Sequence, residues 1–498
     1  MSFDKLVIKP LLNSIKEFEN NNAFCINNIF YTYKEFGIII SKIRNDIRNS
    51  SKNEHYIGLI TNDDIETYAS IFAIWLEGKA YIPLHVLQPI DRSIEIIEQV
   101  DLKIVFDSEG KSEFSNAITV NTKNLKSASE SLENDLVISD EVILYILFTS
   151  GTTGKPKGVT INRTNIASFV DAFWKTGIEL GPTDKCLQCF DLTFDVSVQS
   201  YLVPLLKGAC VYTIPTNKIK YSYTFSLLED HQLTFGAMAP SMLRYLRPYF
   251  DEIRVPSMKY CILTAEASPS DLVAEWHNCI PNSEILDFYG PTEGTIYCTY
   301  YKIDFEKGIK SYNGLLSIGK AMDGFLAVII DDDKNILPLG EKGELCISGN
   351  QLTPGYWKND LINKASFFTL FQNNVETRFY HTGDLCYFDN DGDLMYSGRI
   401  DNQAKIQGYR VELGEIEFHS RAFLEGINTV AIPFVGLMGN TEISLIIEST
   451  TIDIIVLGNY LKSKLPSYMI PSTYKLVAEF PINTSGKTDR NKLKTQLL

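Results

Sequence analysis

The sequence predicts an α/β fold, with a large N-terminal domain of mixed, largely parallel sheets and helices and a small α+β domain behind it. Three observations carry this expectation. A chain of 498 residues that is 45% hydrophobic can bury several cores, so more than one folding unit is expected. Strand, helix and strand patterns repeat to about residue 400, as a largely parallel sheet requires. From Gly398 to Gly414 the chain becomes polar and glycine-containing, and a shorter α+β pattern then runs into a basic tail from Lys487. The expected domains are therefore residues 1–400 and 401–498.

Taken in order, the N-terminal stretch offers Phe30 to Phe36 (FYTYKEF) ahead of an apolar periodicity. In Ile71 to Arg92 an amphipathic helix stops at Gly78, a short strand Ala80-Tyr81-Ile82-Pro83 follows, and Pro89 opens another turn. The run from Val142 to Phe148 has the length and β-branched content of a buried strand. It breaks into Thr149, Ser150, Gly151, Thr152, Thr153, Gly154 and Lys155, with Lys157 just beyond. Glycines let successive N–H groups face one anion, hydroxyls add donors and lysines add charge, so this is a phosphate cradle. It is not a Walker A loop, because Pro156 follows Lys155 where Ser or Thr would be needed.

Composition excludes several classes. A net charge of −15 argues against nucleic-acid binding. No apolar run reaches membrane-spanning length, and the start lacks a signal-peptide core, so a cytoplasmic protein is expected. Nine cysteines, an odd number, fit reduced thiols, and the isolated pair Cys186 and Cys189 reads as core rather than zinc ligands.

Three further segments carry chemistry. Asp287 to Thr295 (DFYGPTEGT) presents an aromatic ring, a hydroxyl and a carboxylate around a Gly-Pro turn, groups suited to a flat base, a phosphate and a metal ion. Asp384 (in YHTGDL) and Arg399 (in SGRID) pair a carboxylate with a guanidinium, which together suit ribose hydroxyls. The tail segment Asn483 to Arg490 contains GKT, but Pro481 stands where a P-loop requires glycine.

These motifs, in this order from about Phe30 to Arg490, resemble those of the adenylate-forming superfamily of amino-acid adenylation domains, acyl-CoA synthetases and luciferases. The resemblance implies ATP and Mg²⁺ as cofactors and a mobile C-terminal lid. It implies that the cradle Thr149–Lys155 meets phosphates, that Asp287, Tyr289 and Gly290 meet adenine, and that Thr292 bonds the α-phosphate. It further implies Glu293 as the Mg²⁺ ligand, Asp384 and Arg399 as ribose contacts, Asp401 as the hinge, and Gly408 beside a carrier's prosthetic arm. Lys487, in N-x-x-G-K-x-D-R, matches the catalytic lysine that bridges the reacting groups.

Phe194-Asp195-Val196-Ser197 matches the F-D-x-S motif of amino-acid adenylation domains, which makes Asp195 the expected anchor for an α-ammonium. A helix-capping Asp is the alternative. The family's substrate positions fall on Asp195, Val196, Gln199, Ala237, Leu263, Ala265, Phe288, Ile296, Tyr297 and Lys487. The lining is largely apolar and shortened by Phe288 and Tyr297, so a small or medium apolar amino acid is expected, proline first and alanine or D-alanine next. The implied partner is the phosphopantetheine thiol of a carrier protein; with no carrier domain in the sequence, the expectation is a stand-alone ligase working in trans, which the Met1 start favours, or else a domain cut from a larger synthetase. An acyl- or aryl-CoA ligase and a non-catalytic nucleotide-binding relative are the competing readings.

Overall fold

The computed structural model describes residues 2–125, 132–134, 136–151, 154–372, 375–401, 403–482 and 488–497. Local sequence sets the element boundaries. In FYTYKEF, Thr32 and Glu35 form a reciprocal capping box that starts the helix Tyr33–Ser50. Asp64 caps the helix Ile65–Leu76, which ends before Gly78 at a φ of +66°. Every residue of that helix except Glu66 is buried, so in place of the expected amphipathic helix the structure has one that packs on nearly every face.

The chain divides into two compact units. The first comprises Met1–Val86, Val100–Leu147 and Gly158–Ile400, and the second comprises Leu87–Gln99, Phe148–Lys157 and Asp401–Leu498. Two short segments of the first 400 residues thus cluster with the C-terminal residues.

Among its described residues the first unit holds a nine-stranded sheet whose centre is parallel. Strands Asn22–Ile26, Cys210–Thr213, Lys185–Gln188, Phe235–Met238, Tyr260–Leu263 and Glu284–Tyr289 run side by side, with antiparallel strands at both edges. A second sheet is parallel through Ile143–Thr149, Ala80–His85, Tyr56–Thr61, Ile104–Asp107 and Ile118–Asn121. A smaller antiparallel sheet contains Phe325–Ile330, Gly343–Gly349, Val375–Phe388 and Leu394–Arg399. The mixed, largely parallel α/β class read from the sequence is the observed one.

The second unit packs the helices Leu413–Phe423 and Ile454–Lys464 against the sheet Thr429–Val435, Thr441–Glu448, Thr473–Val477. A hairpin, Gln403–Ile406 and Tyr409–Glu412, turns through Gln407 and Gly408 at φ +51° and +84°. Both turn residues therefore need left-handed backbone, which gives Gly408 a conformational reason to be glycine.

All nine cysteines are buried and free. Cys186 and Cys189 lie in different core clusters, which is why this pair does not converge on a common ligand. Among the described residues no helix is long and apolar enough to cross a membrane.

Candidate active site

Asp195 is the first residue of the helix Asp195–Leu205, and the capping position belongs to Phe194. Asp195 is therefore not the capping residue of this helix. It is 6% exposed and its Oδ2 has no hydrogen-bond partner, while Thr292 and the amides of Val196 and Ile296 lie near enough to favour its charged form. Burial, with the Glu293 charge beside it, pushes this carboxyl up to about 7. A buried acceptor in this condition is costly until a cation reaches it.

Gln199 lies one turn further along the same helix face. Its Oε1 accepts from the Tyr297 hydroxyl at 3.2 Å, while its Nε2 has no partner. Tyr297 packs against Phe288 with ring centroids 4.8 Å apart, and Phe169 and Phe173 close the cluster. Val196, Ala237, Phe288, Ile296 and Tyr297 all belong to one buried core. Leu263 does not join them. Its parallel-strand partners are Met238 and Asp287, so it projects from the opposite sheet face into a second core. A one-residue step along a strand reverses the face, so Leu263 and Ala237 point to opposite sides of the sheet. Ala265 sits half-buried at a φ of +69° just beyond that strand.

Thr295 and Ile296 have φ values of +57° and +74°. Two consecutive β-branched residues in the left-handed region are strained and need surrounding contacts to hold them. Gly290 supplies one such restraint: a Cβ there would stand 2.4 Å from the Ile296 carbonyl oxygen and 2.7 Å from the Tyr297 Cα. The Gly-Pro turn is therefore pressed against the backbone of Ile296 and Tyr297.

The expected nucleotide contacts also connect. Tyr289 donates its hydroxyl to Asp384 Oδ2 at 2.5 Å, and Arg399 donates to Asp384 Oδ1 at 2.9 Å. Asp384 and Arg399 are directly opposed across two antiparallel strands, which fixes the pair. Asp287, 3% exposed, accepts from the Ser268 hydroxyl. Glu293 is fully buried and accepts from Tyr356 at 2.5 Å. Its carboxylate offers hard oxygen ligands suited to Mg²⁺. Tyr145 escaped the sequence reading because it lies inside an apolar strand, yet its buried hydroxyl has no partner and Asp195 bears on it electrostatically.

Within the second unit the cradle is tied to the C-terminal residues. Gly151 donates its N–H to Glu415 Oε2 at 3.0 Å, and Arg92 donates to Glu415 Oε1 at 2.7 Å. The Ser150 hydroxyl donates to the Arg410 carbonyl and accepts from the Glu412 amide, while Lys157 pairs with Glu412 at 3.0 Å. A Cβ on Gly151 would stand 2.0 Å from the Lys155 carbonyl oxygen, so only glycine fits there. Thr149 ends the incoming strand, and Gly154 takes a φ of +80°. Asp401 accepts from the Gln403 amide at 3.1 Å. Thr152, Thr153 and Lys487 lie outside the described residues.

The AMP-binding enzyme family model matches residues 12–357, more than half of the chain, and the chain belongs to that family. It is 31% identical over 93% of its length to zwittermicin A synthase ZmaJ of Bacillus cereus, covering 89% of that protein. It is 28% identical over 96% of its length to tyrocidine synthase 1 of Brevibacillus parabrevis, of which it spans 44%. Against two other peptide synthetases that it matches, it spans 10% and 13% of their length. Its fold superposes on the Vibrio cholerae adenylation domain AlmE, solved with glycyl-adenosine-5'-phosphate. The TM-score is 0.85 at 24% identity, with 98% and 97% of the two chains covered. With this fold and these relatives the chain is an adenylation domain of the AMP-binding enzyme family, a family that uses ATP, and it is similar to parts of nonribosomal peptide synthetases.

Proposed function

We propose that the chain activates a small or medium apolar amino acid as aminoacyl-AMP and passes it to the phosphopantetheine thiol of a carrier protein. The single observation that carries this reading is the unpaired, buried Oδ2 of Asp195, which suits the substrate's α-ammonium. The amino acid's carboxylate oxygen attacks the α-phosphorus of ATP, a P–O bond forms, and the bond to pyrophosphate breaks. The carrier's thiol then attacks the acyl carbon, giving a thioester and AMP. Residues 1–400 are assigned to substrate and nucleotide binding, and residues 401–498 to a lid pivoting at Asp401.

Tyr289 is assigned to the adenine face, with Asp287 beside its amino group. Asp384 and Arg399 are assigned to the ribose, and the cradle from Thr149 to Lys155 to the phosphates. Thr292 is assigned to the α-phosphate and Lys487 to the bridge between the reacting groups. Glu293 would hold Mg²⁺, which would neutralise phosphate charge when bound. The nine reduced, buried thiols support a cytoplasmic location.

Proline is the first candidate, then alanine or D-alanine. AlmE's glycyl adenylate supports a small substrate. One observation favours a second reading: Gln199 Nε2 is a buried donor with no acceptor, and would suit a substrate whose side chain carries a hydroxyl or carbonyl. An acyl- or aryl-CoA ligase would leave Asp195 unpaired against its substrate. The test is amino-acid-dependent exchange of labelled pyrophosphate into ATP across the common amino acids and D-alanine. One dominant apolar amino acid supports the first reading, a polar one the second, and silence across the panel refutes both.

A further inference from the structure

Three metal-ligating side chains of different kinds converge outside the nucleotide and amino-acid residues. Glu344 and Cys346 alternate on the strand Gly343–Gly349, so both project from one face. His381 lies on the strand Val375–Phe388, directly opposite Cys346 in the antiparallel register. A bulge between Glu344 and Cys346 breaks that register. One oxygen, one sulfur and one nitrogen lie within 4.8 Å of one another. His381 Nδ1 is 2.8 Å from Glu344 Oε2 and 3.8 Å from Cys346 Sγ.

We propose that Glu344, Cys346 and His381 form a zinc site on this sheet, with a fourth position open to water or an exogenous ligand. The mixed oxygen, nitrogen and sulfur donors suit zinc, whose tetrahedral ligands stand roughly 3.3–3.8 Å apart when bonds are about 2.0–2.3 Å long. The His381–Cys346 separation already falls in that range, the His381–Glu344 contact must open, and the Glu344 oxygen and Cys346 sulfur lie within 4.8 Å of one another. Supporting groups already orient the ligands. The Gly383 amide donates to Glu344 Oε1 at 2.9 Å, leaving Oε2 turned toward the imidazole. The ring of Phe368 stacks on His381 at 4.2 Å. Cys346 is closed off by Val328, Ile330 and Phe379, while Glu344 and His381 keep about a fifth of their side-chain surface in solvent, which provides entry. The acidic group Asp389, Asp391 and Asp393 is a poorer candidate, because the Lys310 ammonium pairs with all three.

The experiment is titration of the metal-stripped chain with Zn²⁺ against a chromogenic chelator, and with Co²⁺ followed by absorption. The expected result is one equivalent of Zn²⁺ held and a thiolate-to-cobalt charge-transfer band. Cys346→Ala should abolish the band, and His381→Ala should weaken zinc binding by at least tenfold. Absence of the band in the unaltered chain overturns the proposal whether or not the variants fold. Zinc binding that survives both substitutions overturns it as well, by marking the metal as adventitious.

Discussion

Asp195 and Gln199 stand one turn apart on one face of the helix Asp195–Leu205, each presenting a buried polar atom with no partner. One is an acceptor and the other a donor, so the helix offers two fixed reading points of opposite kind. Replacing Asp195 by Ala should raise the KM for the amino acid by roughly a hundred- to several-thousand-fold, since losing one partner of a buried ion pair costs about 3–5 kcal/mol. The KM for ATP should be unchanged. Steady-state exchange kinetics with each substrate varied in turn checks this, and an equal loss on both sides contradicts the anchor role.

The same carboxyl makes amino-acid binding pH-dependent. In the free chain it titrates at about 7, so below that value it is neutral and offers the ammonium no charge. Affinity should rise with pH through about 7 and then level off. For stability the sign is opposite. The folded chain holds this proton to a higher pH than the unfolded chain, so the group costs stability increasingly from about pH 4 to about pH 7. Asp195→Asn should therefore raise Tm more at pH 8 than at pH 5, which thermal denaturation at the two values measures.

Glu415 accepts from both the Gly151 amide and the buried Arg92 guanidinium. Removing either charged partner strands the other in a buried site. Arg92→Ala and Glu415→Ala should each destabilise the chain by about 3–5 kcal/mol, and the double substitution should cost less than the sum. Denaturant melts of the four proteins provide the cycle. Strict additivity contradicts the coupling.

Gly290→Ala should cut amino-acid-dependent exchange by more than tenfold, because the added methyl displaces the backbone at Ile296 and Tyr297. Gly181 is the control: a Cβ there meets nothing within 4 Å, and neither glycine has a left-handed φ. Gly181→Ala therefore adds the same methyl without the clash and should leave exchange unchanged. Equal losses at the two positions would remove the steric argument.

Lys487→Ala should lower adenylate formation by orders of magnitude while leaving equilibrium ATP binding nearly intact. Single-turnover formation of the adenylate, measured beside nucleotide binding, separates the two. Unimpaired adenylate formation removes Lys487 from the mechanism.

Most residues of the candidate site are legible as short contiguous motifs. Asp195 followed from FDVS, and Asp384 and Arg399 from their own segments, though only strand register reveals that they face one another. Leu263 packs into a different core from Ala237, a difference of parity that motif spacing does not reveal. Tyr145 was hidden in an apolar run whose hydroxyl becomes informative only once Asp195 lies near it. Glu344, Cys346 and His381 read as scattered residues because antiparallel pairing, not sequence proximity, brings them together.

The most direct measurement compares pyrophosphate exchange driven by the preferred amino acid with that driven by the same carboxylic acid lacking its amino group. If Asp195 receives an ammonium, the des-amino acid should be activated at least a hundred-fold less efficiently, and Asp195→Ala should erase most of that difference. Equal activation of the two acids by the unaltered chain would contradict amino-acid adenylation as the function.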